Sequence, residues 1–299
     1  MTAKRPAMAT QSNLKAAFWM GCSLACMILM TWAGRETTKQ LDVFQVMEMR
    51  SLIGLVMLYP LVHLAGGFRA MSTRRPLQHI GRNIAHYTGQ FSWLVALTMI
   101  PLAQLIAIEF TTPIWTALLA MAFLGERMTT PKTVAVALGL IGVIVIVRPG
   151  VGNLEAGHMI VLGAAVAFGV SMTMTKSLTR TESVVRIIFW MLVIQSVIGL
   201  VPAILVWRTP SVDIWPWILV IAFGGSYAHY CMAQALSHAD ATVVTPMDFL
   251  RVPATAALGY FAYAEKIDLF TVLGTMLILS GNLVNLAIRR KAAEPVEVP

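Results

Sequence analysis

Long apolar runs alternate along this chain with short breaks rich in charge, proline or glycine. The breaks leave ten segments, near 16–34, 43–65, 83–100, 102–124, 132–148, 158–177, 185–207, 215–236, 241–263 and 268–288. A bilayer core of roughly 30 Å needs about twenty mostly apolar residues per helix, and most of these segments approach or exceed that length. The pattern predicts an all-α membrane protein of ten transmembrane helices. The loops between them are too short to hold a soluble catalytic or nucleotide-binding domain. Residues 16–34 read as a retained first helix, since a cleaved leader has a shorter apolar core and a small-residue cleavage site.

Composition agrees with the pattern: 58% of the 299 residues are hydrophobic and 12% are charged, about half the charged share of a soluble domain. The net charge of +8 does not point to nucleic acid, because the basic residues sit in short loops and not on one soluble face. With the N-terminus inside, fourteen Lys and Arg fall on the cytoplasmic side and four outside. That bias predicts cytoplasmic tails at 1–15 and 290–299. Cys22, Cys26 and Cys231 all lie in apolar runs, so neither a disulfide framework nor a metal pair is indicated, and no cofactor is implied.

The chain also repeats itself. Sliding residues 96–145 onto 235–284 without a gap matches eleven of fifty positions, among them Phe110 with Phe249, Thr116 with Thr255, Glu126 with Glu265 and Gly142 with Gly281. Glu109 aligns with Asp248, each followed by Phe. The expected repeats are 16–150 and 151–289, of five helices each. An odd number of crossings makes the second repeat enter the membrane from the opposite side. Inverted repeats of this kind are typical of transporters, whose two half-sites open alternately to either face.

The stretch from Ala96 through Pro113, Leu124-Gly125-Glu126 and Gly139 to Gly142, its weaker echo from Ala235 through Pro253 and Glu265 to Gly281, and Lys39 and Lys176 after the first helix of each half resemble the EamA-like members of the drug/metabolite transporter superfamily. The resemblance covers nearly the whole chain. It implies a bacterial inner-membrane protein with a central cavity lined by helices 1, 3, 4, 6, 8 and 9. It further implies cargo among amino acids, riboflavin-like vitamins, S-adenosylmethionine, metallophores or drugs. The second half has Ala264-Glu265 where the first has Gly125-Glu126, so the copies have drifted.

Ionisable groups within spans are costly and usually face the bundle interior, so they are the candidate site. Helix 4 carries Glu109, with Thr112 and Thr116 near the same face, and helix 9 carries Asp248, Arg251 and Thr255 in the same stripe. Asp248 and Arg251 could serve as a structural ion pair or as half of a binding site. Glu109 has no base on its own helix and needs one from elsewhere, a proton, or a substrate ammonium. His86 and Gln90 share a face of helix 3, and His229 of helix 8 aligns with Gln90. A histidine there could relay a proton or only satisfy a hydrogen bond. Trp32, Arg35 and Glu36 close helix 1 as an anchor or a gate. Glu48 and Arg50 point about 200° apart on helix 2, so one of them is expected to meet Arg35 or Glu36 instead. Glu126 and Glu265, at helix ends, read as caps or partners of Arg127 and Lys266.

No HExxH, GxSxG, GxGxxG or Walker sequence occurs, which removes the residues of familiar membrane enzymes. The reading is a secondary transporter of a small polar or zwitterionic metabolite, with a small-molecule substrate and the lipid bilayer as partners. A passive channel or a non-transporting subunit is the alternative.

Overall fold

The computed structural model describes residues 12–124, 130–148, 155–179, 181–239, 244 and 247–293. Glu126, Arg127 and most of both tails lie outside them. The helices are α1 (Asn13–Thr37), α2 (Val43–Leu64), α3 (Pro76–Leu97), α4 (Leu102–Glu109), α5 (Thr112–Leu124), α6 (Thr130–Val147), α7 (Ala156–Leu178), α8 (Val184–Leu205), α9 (Trp215–His238), α10 (Arg251–Tyr263) and α11 (Leu269–Ala293). α4 and α5 together make the fourth span, and α10 is part of the ninth. Large apolar side chains such as Leu64, Val197, Leu205 and Phe261 are exposed. In a bilayer they meet acyl chains, where exposure of apolar surface costs nothing.

Helix starts follow local chemistry. Ser12, Asp42 and Ser183 cap α1, α2 and α8 by accepting hydrogen bonds from Lys15, Phe44 and Arg186 backbone N–H groups. α3 begins at Pro76, earlier than the expected start near 83, since a proline suits the first turn, where its missing N–H has no helical acceptor. His79 and Arg82, which lie before the expected start, and Asn83 at it are buried. Arg82 Nε donates to Thr175 Oγ1 at 3.1 Å and Asn83 Nδ2 to the Trp190 carbonyl at 3.4 Å. Partners supplied by the second repeat let the helix run through them.

The fourth span, expected to be continuous, breaks at Phe110 and Thr111. Pro113 has no N–H to offer the Glu109 carbonyl. Thr112 Oγ1 supplies that bond at 2.7 Å, and Asn282 Nδ2 of α11 donates to the Phe110 carbonyl at 3.0 Å. Freed backbone groups must find such substitutes where no water reaches them.

The main helix contacts run between the repeats. α1 packs on α9, α3 on α7, α2 on α8, α6 on α11 and α4 on α10. Exchanging the two repeats maps α1–α9 onto α7–α3 and returns α2–α8 and α6–α11 to themselves. The correspondence extends to single residues. A Cβ on Gly142 would lie 2.6 Å from the Gly274 carbonyl oxygen, and one on Gly281 would lie 2.8 Å from that of Ala135. The repeat offset carries Gly142 to Gly281 and Ala135 to Gly274. Small residues let these helices approach to backbone contact, the usual source of helix affinity in lipid. Gly274→Val is therefore expected to destabilise the protein by about 1–3 kcal/mol, read as a lower melting temperature in detergent. Gly163→Ala, where a Cβ would meet nothing within 4 Å, should leave that temperature unchanged.

Candidate functional site

Both interrupted spans place a charge at the break. Glu109 is the last residue of α4 and Arg251 the first of α10. Arg251 Nη2 donates to Glu109 Oε1 at 2.8 Å, and Trp93 Nε1 of α3 donates to Oε2 at 2.7 Å. The guanidinium lies 4.8 Å over the Phe110 ring, which packs edge-on against Phe249 at 5.6 Å. Phe110 and Phe249 are repeat mates, as are Glu109 and Asp248. Asp248 feels the charges of both Arg251 and Glu109. Two carboxylates, one from each repeat, thus share one guanidinium. The base that Glu109 lacked on its own helix comes from the other repeat. The threonines of the stripe are turned to the backbone: Thr112, Thr116 and Thr255 donate to the carbonyls of Glu109, Thr112 and Arg251. Such bonds satisfy a hydroxyl in apolar surroundings and leave it less free for a ligand.

A second group of polar residues is basic. Arg50 of α2 lies against α9 where Gly225 has no side chain, so that a Cβ there would be 3.3 Å from Arg50 Nε. His229, one turn beyond Gly225, shares that face of α9. His86 Nδ1 meets Gln195 Nε2 of α8 at 2.9 Å, and the imidazole stands edge-on to Phe168 at 5.7 Å. The charges of Arg50 and Arg82 act on both His86 and His229. His229 is exposed, and Arg50, His86 and Gln90 are partly so, although protein surrounds Arg50 and both histidines densely. Accessibility within dense surroundings marks a space inside the bundle that water can enter. Gln90 Oε1 is buried with no hydrogen-bond partner. Such a wall can bind a carboxylate or stack on a flat ring, while Asp248 and Glu109 can hold a cationic group.

Trp32, Arg35 and Glu36 are not part of this centre. They gather where α1 ends. Arg35 pairs with Glu265, whose other oxygen accepts the Leu102 N–H at 2.8 Å and so caps α4. Glu36 takes bonds from Lys39 and from the Tyr263 hydroxyl, both at 2.7 Å, and Trp32 packs on Trp217 at 5.3 Å. This cluster joins the first residue of α4, whereas Glu109 is its last, about 10 Å further along the helix axis. Glu265, expected to cap a helix or to pair with Lys266, caps α4 and ties it to α1 through Arg35. Arg148 pairs with Asp268, 120 residues away in the chain, and Gln104 bridges Thr271 and His158. Burial alone would raise the Asp268 carboxyl, but bonds from Thr271 and the Arg148 charge outweigh it and hold it below the ordinary range. That contribution is complete at neutral pH and is lost as pH falls through the lowered value. Glu48 meets neither Arg35 nor Glu36; it is 2% exposed and both its oxygens lack partners. Arg82 and Gln195 join the site without having been singled out, since their pattern on one helix gives no hint of what a neighbouring helix presents.

The EamA-like transporter family model matches residues 14–148 and again 155–287. The chain belongs to the EamA-like transporter family. Its relatives include the S-adenosylmethionine uptake transporter of Rickettsia felis, 27% identical over 85% of this chain and 86% of that one. The riboflavin transporter of Brucella anthropi is 29% identical over 84% and 90% of the two chains. The pseudopaline exporter of Pseudomonas aeruginosa is 24% identical over 82% and 86%. A crystal structure with 16% identity shares the fold, with a TM-score of 0.64 over 95% of this chain and all of that one. This EamA-like protein is accordingly a ten-helix, multi-pass membrane transporter of small metabolites and not an enzyme.

In this EamA-like transporter the Glu109–Arg251 contact carries a stability test. Arg251→Leu leaves the Glu109 carboxylate without its cation and is expected to cost about 3–5 kcal/mol. Adding Glu109→Gln to Arg251→Leu should recover part of that loss. Melting temperatures in detergent measure both.

Proposed function

We propose that the protein is a secondary transporter of the bacterial inner membrane, with both termini in the cytoplasm, that carries a zwitterionic or heteroaromatic organic metabolite by alternating access. The observation that carries this reading is the water-accessible wall of Arg50, His86 and His229 beside the acidic Glu109–Arg251–Asp248 centre. A cargo carboxylate would meet Arg50, a cationic group would meet Asp248, and a flat ring would lie against His86 and Phe168. Gln90 adds an unused acceptor. S-adenosylmethionine and riboflavin, the cargoes in the relatives' names, present these groups in different proportions.

Repeats spanning 16–150 and 151–289 would rock about the contacts between α4 and α10, opening the space to one face and then the other. The cluster of Arg35, Glu36, Tyr263 and Glu265 would act as the gate on the side where α1 ends. Its bonds join the two repeats, which supports a conformation closed on that side. The net charge of the centre suits stoichiometric binding of an organic ion better than a passive polar pore.

The test is counterflow of labelled S-adenosylmethionine and riboflavin in proteoliposomes. Saturable counterflow of one of them is expected; uptake linear in concentration would indicate a channel and sink the reading. Arg50→Gln should raise KM at least about tenfold, the loss of roughly 1.4 kcal/mol expected for one charge-assisted hydrogen bond. Asp248→Asn should weaken the cationic S-adenosylmethionine more than neutral riboflavin.

A further inference from the structure

We propose that Glu48, together with Tyr87, is a buried proton-binding site that couples cargo movement to a proton gradient; the coupling rests on the transport reading, whereas the site does not. Glu48 of α2 is 2% exposed and Tyr87 of α3 is 6% exposed. Neither carboxylate oxygen of Glu48 has a hydrogen-bond partner, and neither has the Tyr87 hydroxyl. They share one space: a Cβ on Gly199 of α8 would lie 2.7 Å from Glu48 Oε2 and 3.0 Å from the Tyr87 oxygen. Gly199 leaves room there for both oxygens.

Among the described residues, the surroundings hold no charged partner for the carboxylate. From α3 the groups facing it are Tyr87 and, one residue earlier, His86. From α8 they are Gly199 and, one turn back, Gln195, which is uncharged. On α2 itself Arg50 points about 200° away, toward Gly225 of α9, and Asp42 at the helix start is itself acidic. Arg186, the basic residue of α8, lies at the helix's opposite end, bound to Glu182 and the Ala70 carbonyl. No charged side chain acts on the Glu48 carboxyl. A lone carboxylate in an apolar interior takes a proton rather than remain charged. Glu109, by contrast, has both oxygens occupied by Arg251 and Trp93.

Position makes the site useful for coupling. α2 belongs to the first repeat and α8 to the second, so Glu48 lies on an interface that the rocking motion must rearrange. Opening it admits water and releases the proton; closing it requires one. A route to the cargo space is also present. Gln195 is 1% exposed with an unpartnered Oε1, and its amide meets His86 at the edge of that space. The step is a plain proton transfer. The Glu48 carboxylate gains H⁺ from water reaching it from one face and returns H⁺ to water on the other, with no change of oxidation state.

The full-length protein in lipid vesicles tests this in two ways. Infrared difference spectra taken across a pH titration should show the carbonyl stretch of a protonated carboxylic acid, and Glu48→Gln should remove it. Tyr87→Phe removes the unpaired hydroxyl that is free to donate to the carboxylate once it is charged, and should raise the midpoint of that band by about one pH unit. An unchanged spectrum in Glu48→Gln, or an unmoved midpoint in Tyr87→Phe, overturns the site. For coupling, labelled S-adenosylmethionine and riboflavin are the probes. With a one-unit pH gradient and one proton per cargo, the wild type should change the gradient of the carried probe by up to about tenfold. Glu48→Gln should bring that ratio to one while keeping counterflow within about twofold of wild type. Accumulation by Glu48→Gln equal to wild type, or driving by a sodium gradient in place of the proton gradient, overturns the coupling. If the wild type carries neither probe, the cargo reading fails, and the infrared titration still decides the proton site.

Discussion

A guanidinium in the middle of a bilayer has no water to turn to, and the structure is organised around supplying Arg251 with a partner. That partner is Glu109, in the other repeat. The pair forms because both spans are interrupted near the same depth, which brings the end of α4 and the start of α10 together. Phe110 and Phe249 cover it, and Trp93 occupies the second carboxylate oxygen. Removing either charge would strand the other in an apolar interior, which is far more unfavourable than never having placed the pair there. The interaction therefore ties the breaks in the helices and the register of the repeats into one arrangement.

Around that centre the packing is nearly symmetric. Contacts between α1 and α9 are mirrored by those between α7 and α3, and backbone approaches such as Gly142 to Gly274 have counterparts in Gly281 to Ala135. With lipid outside, no hydrophobic effect drives these helices together, so close van der Waals contact between small residues and satisfied polar groups has to do so. A symmetric interface of this kind has two related arrangements of similar energy. That is the physical basis on which an inverted repeat can alternate.

The chemistry is asymmetric where the packing is not. One acid of the central trio is bonded to the shared guanidinium directly and the other only through its field. His229 faces the open space where its repeat mate is a glutamine. The cluster at the end of α1 ties the two repeats together through Arg35, Tyr263 and Glu265. A transporter needs this difference, because a site with two identical halves would hold its cargo equally from both faces without distinguishing the cargo's charged ends.

The number of spans, the inverted repeat and the family were legible in the sequence, since each depends on the hydropathy and spacing of residues along one chain. So was the presence of Glu109, Asp248, Arg251, His86 and His229 within spans, because an ionisable residue there stands out against its neighbours. The start of α3 was placed too late, as Arg82 was read as a loop residue, whereas in the fold α7 supplies its partner. The break in the fourth span, the reach of Arg251 across to Glu109, the retreat of Arg35 and Glu36 into a separate lock, and the isolation of Glu48 beside Tyr87 were decided by tertiary structure alone. The reason is that hydrophobic periodicity is a property of one helix, whereas the partner of a buried charge is a property of what the next helix presents to it.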